Sequence, residues 1–385
     1  MKKHIQLLVA LFVTALAILA CSSSFNVVET APSMPIQITG QTEVPATKVS
    51  SSLLPHALYY IANGQIFRMG QDGKTIKQLT NEPVNIIDYD ISQANGSLAF
   101  VTNNQLILMN ADSSNRFMIE GGSHPVFSPD GKTLVYSHDG LTLFNFSTGA
   151  SNLLLEDQPL GGSLPPVIYT PDKFSPDGTK LLLEVGHPPD SPWTAAIYSF
   201  ATNNITPITS DNSSYSCCTG YGGAEWTADS SSLYAVATIP DSSTPFGALW
   251  KVDAANGTVT TLIPGSAGEG DTLLFYQVFK PHPTATGQLY FFSVKYREQT
   301  DSNRRKFLIP IRTRSEDIIT NWSVLRSDTF ELMNEALWAP DGSLAIVTYA
   351  PTPDNFTGGK AKIIYFDGRP DITLTLSAQK LKWGS

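Results

Sequence analysis

Acids, lysines and a histidine recur in register along this chain, two and four residues ahead of a series of turns: Asp88, Asp90, His124, Lys173, Glu225, Glu335, Lys380 and Lys382. Gathered at one opening, such a set could hold a metal ion or divide acid and base roles between neighbouring carboxyls. It could equally neutralise itself as a solvated ring of ion pairs. Reactions that leave a local signature are not written here: there is no Gly-x-Ser-x-Gly elbow, no His-Glu-x-x-His, no Walker loop and no spaced cluster of Cys or His. The other histidines, His56, His138, His187 and His282, fall at isolated turns and read as surface or capping residues. No catalytic residue, metal site or cofactor is assigned.

A second set of residues suits recognition. Four long connections, at 186–193, 240–246, 296–305 and 350–356, carry Trp193, Phe246, Tyr296 and Phe356, and a further loop holds Cys217 and Cys218 between Tyr215 and Tyr221. Exposed aromatics beside Asp and Asn fit a sugar or an extended peptide by stacking and hydrogen bonding, and the prolines among them stiffen the loops. The alternative is that Trp193, Phe246 and Phe356 turn inward and anchor their own loops. The adjacent cysteines read as a strained vicinal disulfide, as free thiols, or as a soft-metal site. Arg297, Arg304, Arg305, Lys306, Arg312 and Arg314 put six cations within 18 residues. They form either a solvated hairpin or a docking patch for an anionic partner or lipid headgroup, which guanidinium groups bind bidentately.

The elements that must position these groups repeat. Phe127-Ser128-Pro129-Asp130-Gly131 leads to Leu134, and Phe174-Ser175-Pro176-Asp177-Gly178 to Leu181. Proline presets φ and glycine supplies the positive φ of a tight turn. Weaker copies run from Ile91-Ser92 to Leu98, Trp226-Thr227 to Leu233, Phe279-Lys280-Pro281 to Leu289 and Trp338-Ala339 to Leu344, and a seventh is split between Leu58 and Leu381-Lys382-Trp383. The leucines at 58, 98, 134, 181, 233, 289 and 344 are 40, 36, 47, 52, 56 and 55 residues apart. Such periods, with four strand-like runs each, predict an all-β fold: a seven-bladed β-propeller of four-stranded blades, closed by a C-terminal strand that completes blade one. Closure of this kind removes open sheet edges. Loops joining strands two and three are minimal in blades one to three and long in blades four to seven, so a one-sided binding site is expected over blades four to seven, opposite the Ser-Pro-Asp-Gly turns.

These repeats resemble the TolB-type, WD-like propeller repeat family over about residues 57 to 383. The Gly-His and Trp-Asp dipeptides that true WD repeats carry at fixed offsets are missing, and only about 35 residues separate the leader from blade one, where TolB itself carries an additional α/β domain. The resemblance implies the fold and leaves the function open, because propellers of this type serve as binding modules, as scaffolds and as appended domains of peptidases.

The N-terminus indicates a location. Met1-Lys2-Lys3-His4 is basic, Ile5 to Ala20 is apolar, and Ile18-Leu19-Ala20-Cys21 resembles a bacterial lipobox, with Cys21 as the lipidated residue. Residues 1–20 are thus read as a signal peptide, 21–55 as the lipidated cysteine and a flexible tether, and 56–385 as the propeller. Loss of Lys2 and Lys3 takes the formal charge from −9 to −11, which argues against nucleic acid. The expected protein is a monomeric lipoprotein on the periplasmic or cell-surface side of a membrane, binding or scaffolding an envelope protein or glycan. Two other readings stay open: a carbohydrate- or lactone-active propeller enzyme, and a purely structural envelope component.

Overall fold

The computed structural model describes residues 52–158, 167–187, 191–208, 220–238, 247–265, 275–299, 306–314, 317–318, 320–352, 355 and 357–385. The chain divides into two units, Met1–Ser50 and Ser51–Ser385, and the described residues belong to the second. Among them there are strands and turns and no helix.

The repeated turn is closed by its own side chains. Ser128 Oγ donates to Asp130 Oδ1 at 2.7 Å and accepts the Thr133 N–H at 3.0 Å, while Asp130 Oδ1 takes the Lys132 N–H at 3.1 Å. Gly131, at φ 68°, donates its N–H to Ser128 O at 2.9 Å. Ser175, Asp177 and Gly178 repeat this geometry, and Thr227 with Asp229 does so with Ser230, at φ 60°, in place of the glycine. In the copy at residues 91–96 Ala94 stands where the aspartate belongs, and the buried Ser92 hydroxyl has no partner. The sixth copy departs from the sequence reading. Lys280, at φ 50°, lies in a register break of an uninterrupted strand, and the chain reverses at 284–287, where the Gly287 N–H bonds Thr284 O at 3.1 Å.

Hairpin after hairpin, the chain forms antiparallel meanders. It begins with β1 (Ala57–Ala62), β2 (Gln65–Met69) and β3 (Ile76–Gln78). Next come β4 (Ile86–Ile91), β5 (Leu98–Thr102), β6 (Gln105–Met109) and β7 (Phe117–Glu120), then β8 (Ser123–Phe127), β9 (Thr133–Ser137), β10 (Gly140–Asn145) and β11 (Ala150–Glu156). The middle holds β12 (Ile168–Phe174), β13 (Lys180–His187), β14 (Ser191–Ser199) and β15 (Asn204–Pro207), followed by β16 (Gly220–Trp226), β17 (Ser232–Thr238), β18 (Gly247–Asp253) and β19 (Val259–Ile263). The last third has β20 (Phe275–Pro283), β21 (Gln288–Gln299), β22 (Lys306–Arg314) and β23 (Ser323–Val324), and ends with β24 (Met333–Trp338), β25 (Leu344–Tyr349), β26 (Gly359–Tyr365) and β27 (Ile372–Gly384). β4–β7, β8–β11 and β12–β15 are four-stranded sheets paired in chain order. β16–β19 and β20–β23 pair in the same order and touch through one pair, Gly247 with Val278.

β27 serves two neighbours. Its first half pairs with β26, from Ile372 opposite Ile363 to Ala378 opposite Gly359, and its second half pairs with β1, with Trp383 opposite Leu58 and Lys382 opposite Tyr59. The two ends of the described chain therefore meet in one sheet.

The core lies between successive sheets. Side chains alternate along each strand, so on β13 Leu181, Leu183 and Val185 pack with Val135 and Leu141 of one neighbouring sheet, while Leu182 packs with Trp226 and Leu233 of the other. Leu58, Tyr60 and Met69 from the start of the chain share a cluster with Ile346, Ile363 and Tyr365 from its end. Each such large buried side chain contributes roughly 1.5–3 kcal/mol of hydrophobic stabilisation.

Candidate functional site

The first strands of the meanders, with the second half of β27, bring the in-register charges together. Lys380 Nζ meets Asp88 Oδ1 at 2.6 Å, Lys382 Nζ meets Asp90 Oδ1 at 2.6 Å, and Lys173 Nζ meets Glu225 Oε1 at 2.5 Å. Asp90 also accepts the Phe127 N–H at 2.8 Å, and Glu335 accepts the N–H groups of Lys380 at 2.8 Å and Leu381 at 3.0 Å. Each of these contacts links one meander to the next. His124 lies near Asp88 and Lys380; burial lowers its pKa, Lys380 adds to the effect, and Asp88 opposes it.

Tryptophans at the ends of these strands make a parallel set of fastenings. Trp226 Nε1 donates to Lys173 O at 3.2 Å, Trp338 Nε1 to Lys280 O at 2.9 Å, and Trp383 Nε1 to Trp338 O at 2.7 Å. Tyr89 Oη donates to Lys380 O at 2.6 Å, so β4 grips β27 from the other side. An indole or phenol is satisfied by a partner for its N–H or O–H, and for these four side chains it is a backbone carbonyl on a strand not paired with their own.

Five of these strands face one cavity of about 240 Å³, lined among others by Asp172, Lys173, Glu225, His282, Trp338 and Trp383. Burial works against the charge of Lys173, but Glu225 in contact and Asp172 beside it outweigh that, so its pKa is raised and it stays an ammonium at neutral pH. Lys173 is therefore a poor base or nucleophile. His282 stacks on Trp338 with ring planes 8° apart; burial lowers its pKa against the pull of Glu225, which leaves the ring neutral. On the neighbouring strand, burial and the charge of Asp172 push Glu184 up to about 7. Among the described residues, no three His, Cys, Asp or Glu side chains stand close enough together to hold a metal ion.

Sequence reasoning placed the ring members but missed the cavity. His282, read as an isolated turn residue, belongs to β20 and lines the cavity, because the turn after β20 lies beyond it. Asp172, Trp338 and Trp383 join it from strands far apart in sequence. The register of Trp338 and Trp383 with the other pre-turn aromatics was the available signal. Of the other histidines, His56 sits 6.5 Å from the Trp383 ring and His138 is an exposed turn residue 3.9 Å from Asp139.

The aromatic loop residues are distributed otherwise. Trp193, Tyr221 and Tyr296 lie on β14, β16 and β21 rather than in loops, because these strands extend past the alternating apolar stretch. Their side chains, and all of Tyr215, Phe246, Arg304, Arg305, Phe356, Cys217, Cys218 and Cys21, lie outside the described residues, as does the His187 side chain. The remaining cations of the basic stretch sit on the β21–β22 hairpin, where Arg312 and Arg314 are exposed.

No protein-family model matches the chain, and no curated protein matches it. Solved structures do share its fold. An oligogalacturonate lyase in complex with manganese is 12% identical over 83% of this chain and 83% of that one, with a TM-score of 0.56. The tricorn protease is 12% identical over 85% of this chain, with a TM-score of 0.53, and the match spans 34% of its length, about a third. TolB from Acinetobacter baumannii is 14% identical over 72% of this chain and 65% of its own, with a TM-score of 0.42. At such identities the first two likenesses are of fold alone. The class defined by the fold is an all-β, propeller-type domain of four-stranded antiparallel sheets.

Proposed function

We propose that this chain is a lipid-anchored, extracytoplasmic propeller of the TolB-type repeat family that binds a protein or glycan at the cell envelope. In this reading the meanders are seven blades, and Gln379–Gly384 closes the ring by serving as the innermost strand of blade one. The pairing of β27 with β1 and the shared cluster of first and last strands support that closure. Partner capture is assigned to the face over blades four to seven, with Trp193, Tyr215, Tyr221, Phe246, Tyr296, Arg304, Arg305 and Phe356 as contacts. Lipidation of Cys21 supplies the anchor.

The observation that carries a binding role is how the inner acids are used. Asp88, Asp90, Glu225 and Glu335 are each held by a lysine or by backbone N–H groups of an adjacent sheet. Acids committed in this way serve as fastenings between strands of the scaffold, which favours recognition over proton transfer. The test is capture from native membranes with the wild-type chain and with an Asp88→Ala, Glu225→Ala variant. Saturable recovery of one partner by both proteins, with a lowered melting temperature in the variant, supports binding; no saturable recovery by the folded wild-type chain removes it.

One observation favours the enzyme reading: the cavity that places neutral His282 near the Lys173–Glu225 pair and Asp172. Turnover of an oligosaccharide or lactone that is lost in His282→Gln with the fold intact would move the assignment to catalysis.

A further inference from the structure

On the turn side, where the β4–β7 sheet faces the β8–β11 sheet, a groove of about 330 Å³ opens that no part of the ring uses. Its apolar wall is a fixed run of phenyl rings. Phe117 stacks on Phe144 at 5.7 Å, Phe144 meets Phe146 edge-on at 5.1 Å, and Phe146 stacks on Phe127 at 5.7 Å. Two members of this run stay open to solvent: Phe117 is 50% exposed and Phe146 39%. A ring needed only to seal two sheets together gains nothing by leaving half its surface wet.

The rim is polar and carries no charge. Asn95, Ser97, Asn110 and Asn115 line it, and no Asp, Glu, Lys or Arg does. Their hydrogen-bonding capacity is only partly used. Asn95 Oδ1 accepts the Ser97 N–H at 3.0 Å, which leaves its NH2 group; Asn110 Nδ2 donates to Ser114 Oγ at 3.1 Å, which leaves its carbonyl oxygen. The Asn115 amide has no hydrogen-bond partner among the described residues, and its backbone is pinned at φ 52° by the turn that presents it. The next groove round, where β8–β11 faces β12–β15, keeps the stacked phenyls Phe174 and Phe200 but is lined by Asp130 and Asp177. The uncharged amide rim is thus particular to the first groove and not a by-product of the repeat.

Preorganised rings beside uncommitted neutral donors and acceptors complement one ligand class well. A hexopyranose has an apolar C–H face that stacks on aromatic rings, and hydroxyls that both donate and accept, as a carboxamide does. The volume lies at the low end of small-ligand clefts and suits a short segment of chain. The absence of any cation in the lining disfavours uronates, phosphates and peptide carboxylates. We infer that this groove is a binding subsite for a neutral glycan, on the turn side of the sheets and independent of the partner-binding face proposed above.

The test is calorimetric titration of the full-length chain, in detergent, with maltotriose, cellotriose and chitotriose, and with digalacturonate as the charged control. At least one neutral trisaccharide should bind, and Phe117→Ala and Asn115→Ala should each weaken it at least tenfold, while Phe117→Tyr, which keeps the stack, should retain it. Both Ala positions are at the surface, so circular dichroism should show an unchanged fold; if Phe117→Ala unfolds, Asn115→Ala carries the test alone. The inference is overturned if none of the three neutral sugars binds, if the Asn115→Ala protein binds as wild type, or if digalacturonate binds as tightly as they do. Partner capture by the loop face has no bearing on any of these outcomes.

Discussion

Replacing Glu184 by Gln should stabilise this protein at alkaline pH and leave it nearly unchanged near pH 4.5. Burial on β13, with Asp172 adding like charge, lifts the Glu184 carboxyl from 4.5 to about 7. The folded chain therefore keeps a proton that the unfolded chain releases, so stability is greatest below the unfolded value and falls as pH rises from about 4.5 to about 7. A rise of about 2.5 in pKa corresponds to roughly 3.4 kcal/mol at about 1.36 kcal/mol per pH unit. Because the side chain is partly solvated, the retained effect is roughly 1–2 kcal/mol. Glutamine keeps the shape of the protonated acid without the ionisation cost. Melting curves at pH 4.5 and 8.5 should show Glu184→Gln gaining on the order of 2–4 °C at pH 8.5 and almost nothing at pH 4.5. An equal change at both values, or a wild-type melting temperature that is flat between them, would refute the argument.

Three further outcomes follow from the turns and from the pairing of β27 with β1. Ala94→Asp should supply the acceptor that the Ser92 hydroxyl lacks and stabilise by about 1 kcal/mol, read as a higher denaturant midpoint with unchanged m-value. Ser175→Ala should cost about 1–2 kcal/mol. It should also raise the Asp177 pKa, which the Ser175 hydroxyl and Thr179 groups hold at about 2 despite burial, so that in the wild type this contribution is lost only as pH falls from about 4 to about 2; carboxyl NMR titration reports it. Deleting residues 379–385 should abolish cooperative thermal unfolding, because β1 keeps β2 but loses β27 as its other partner, and the Glu335, Tyr89 and Trp338 contacts to that segment go with it.

The turns were legible because their chemistry is local: Ser128, Asp130 and Gly131 satisfy one another within a few residues, so the motif carries its own geometry. The register of those turns was enough to align Asp88, Asp90, Lys173, Glu225 and Glu335 on the first strands. Two things were hidden. The break at Lys280 moves a turn and carries His282 into the cavity, and no pattern of apolar residues marks such a break in an otherwise continuous strand. The cavity itself is assembled from five strands spread over the chain, and its members are individually ordinary core or rim residues. The phenyl groove was invisible for a similar reason: Phe117 belongs to a short third-to-fourth-strand hairpin that reads as plain turn sequence.

The central claim, that the face over blades four to seven captures a partner, is tested most directly by the triple variant Trp193→Ala, Phe246→Ala, Phe356→Ala in a capture assay from native membranes, with melting temperature followed in parallel. The account predicts that capture is lost while the melting temperature barely moves. A large fall in melting temperature with capture intact would contradict it.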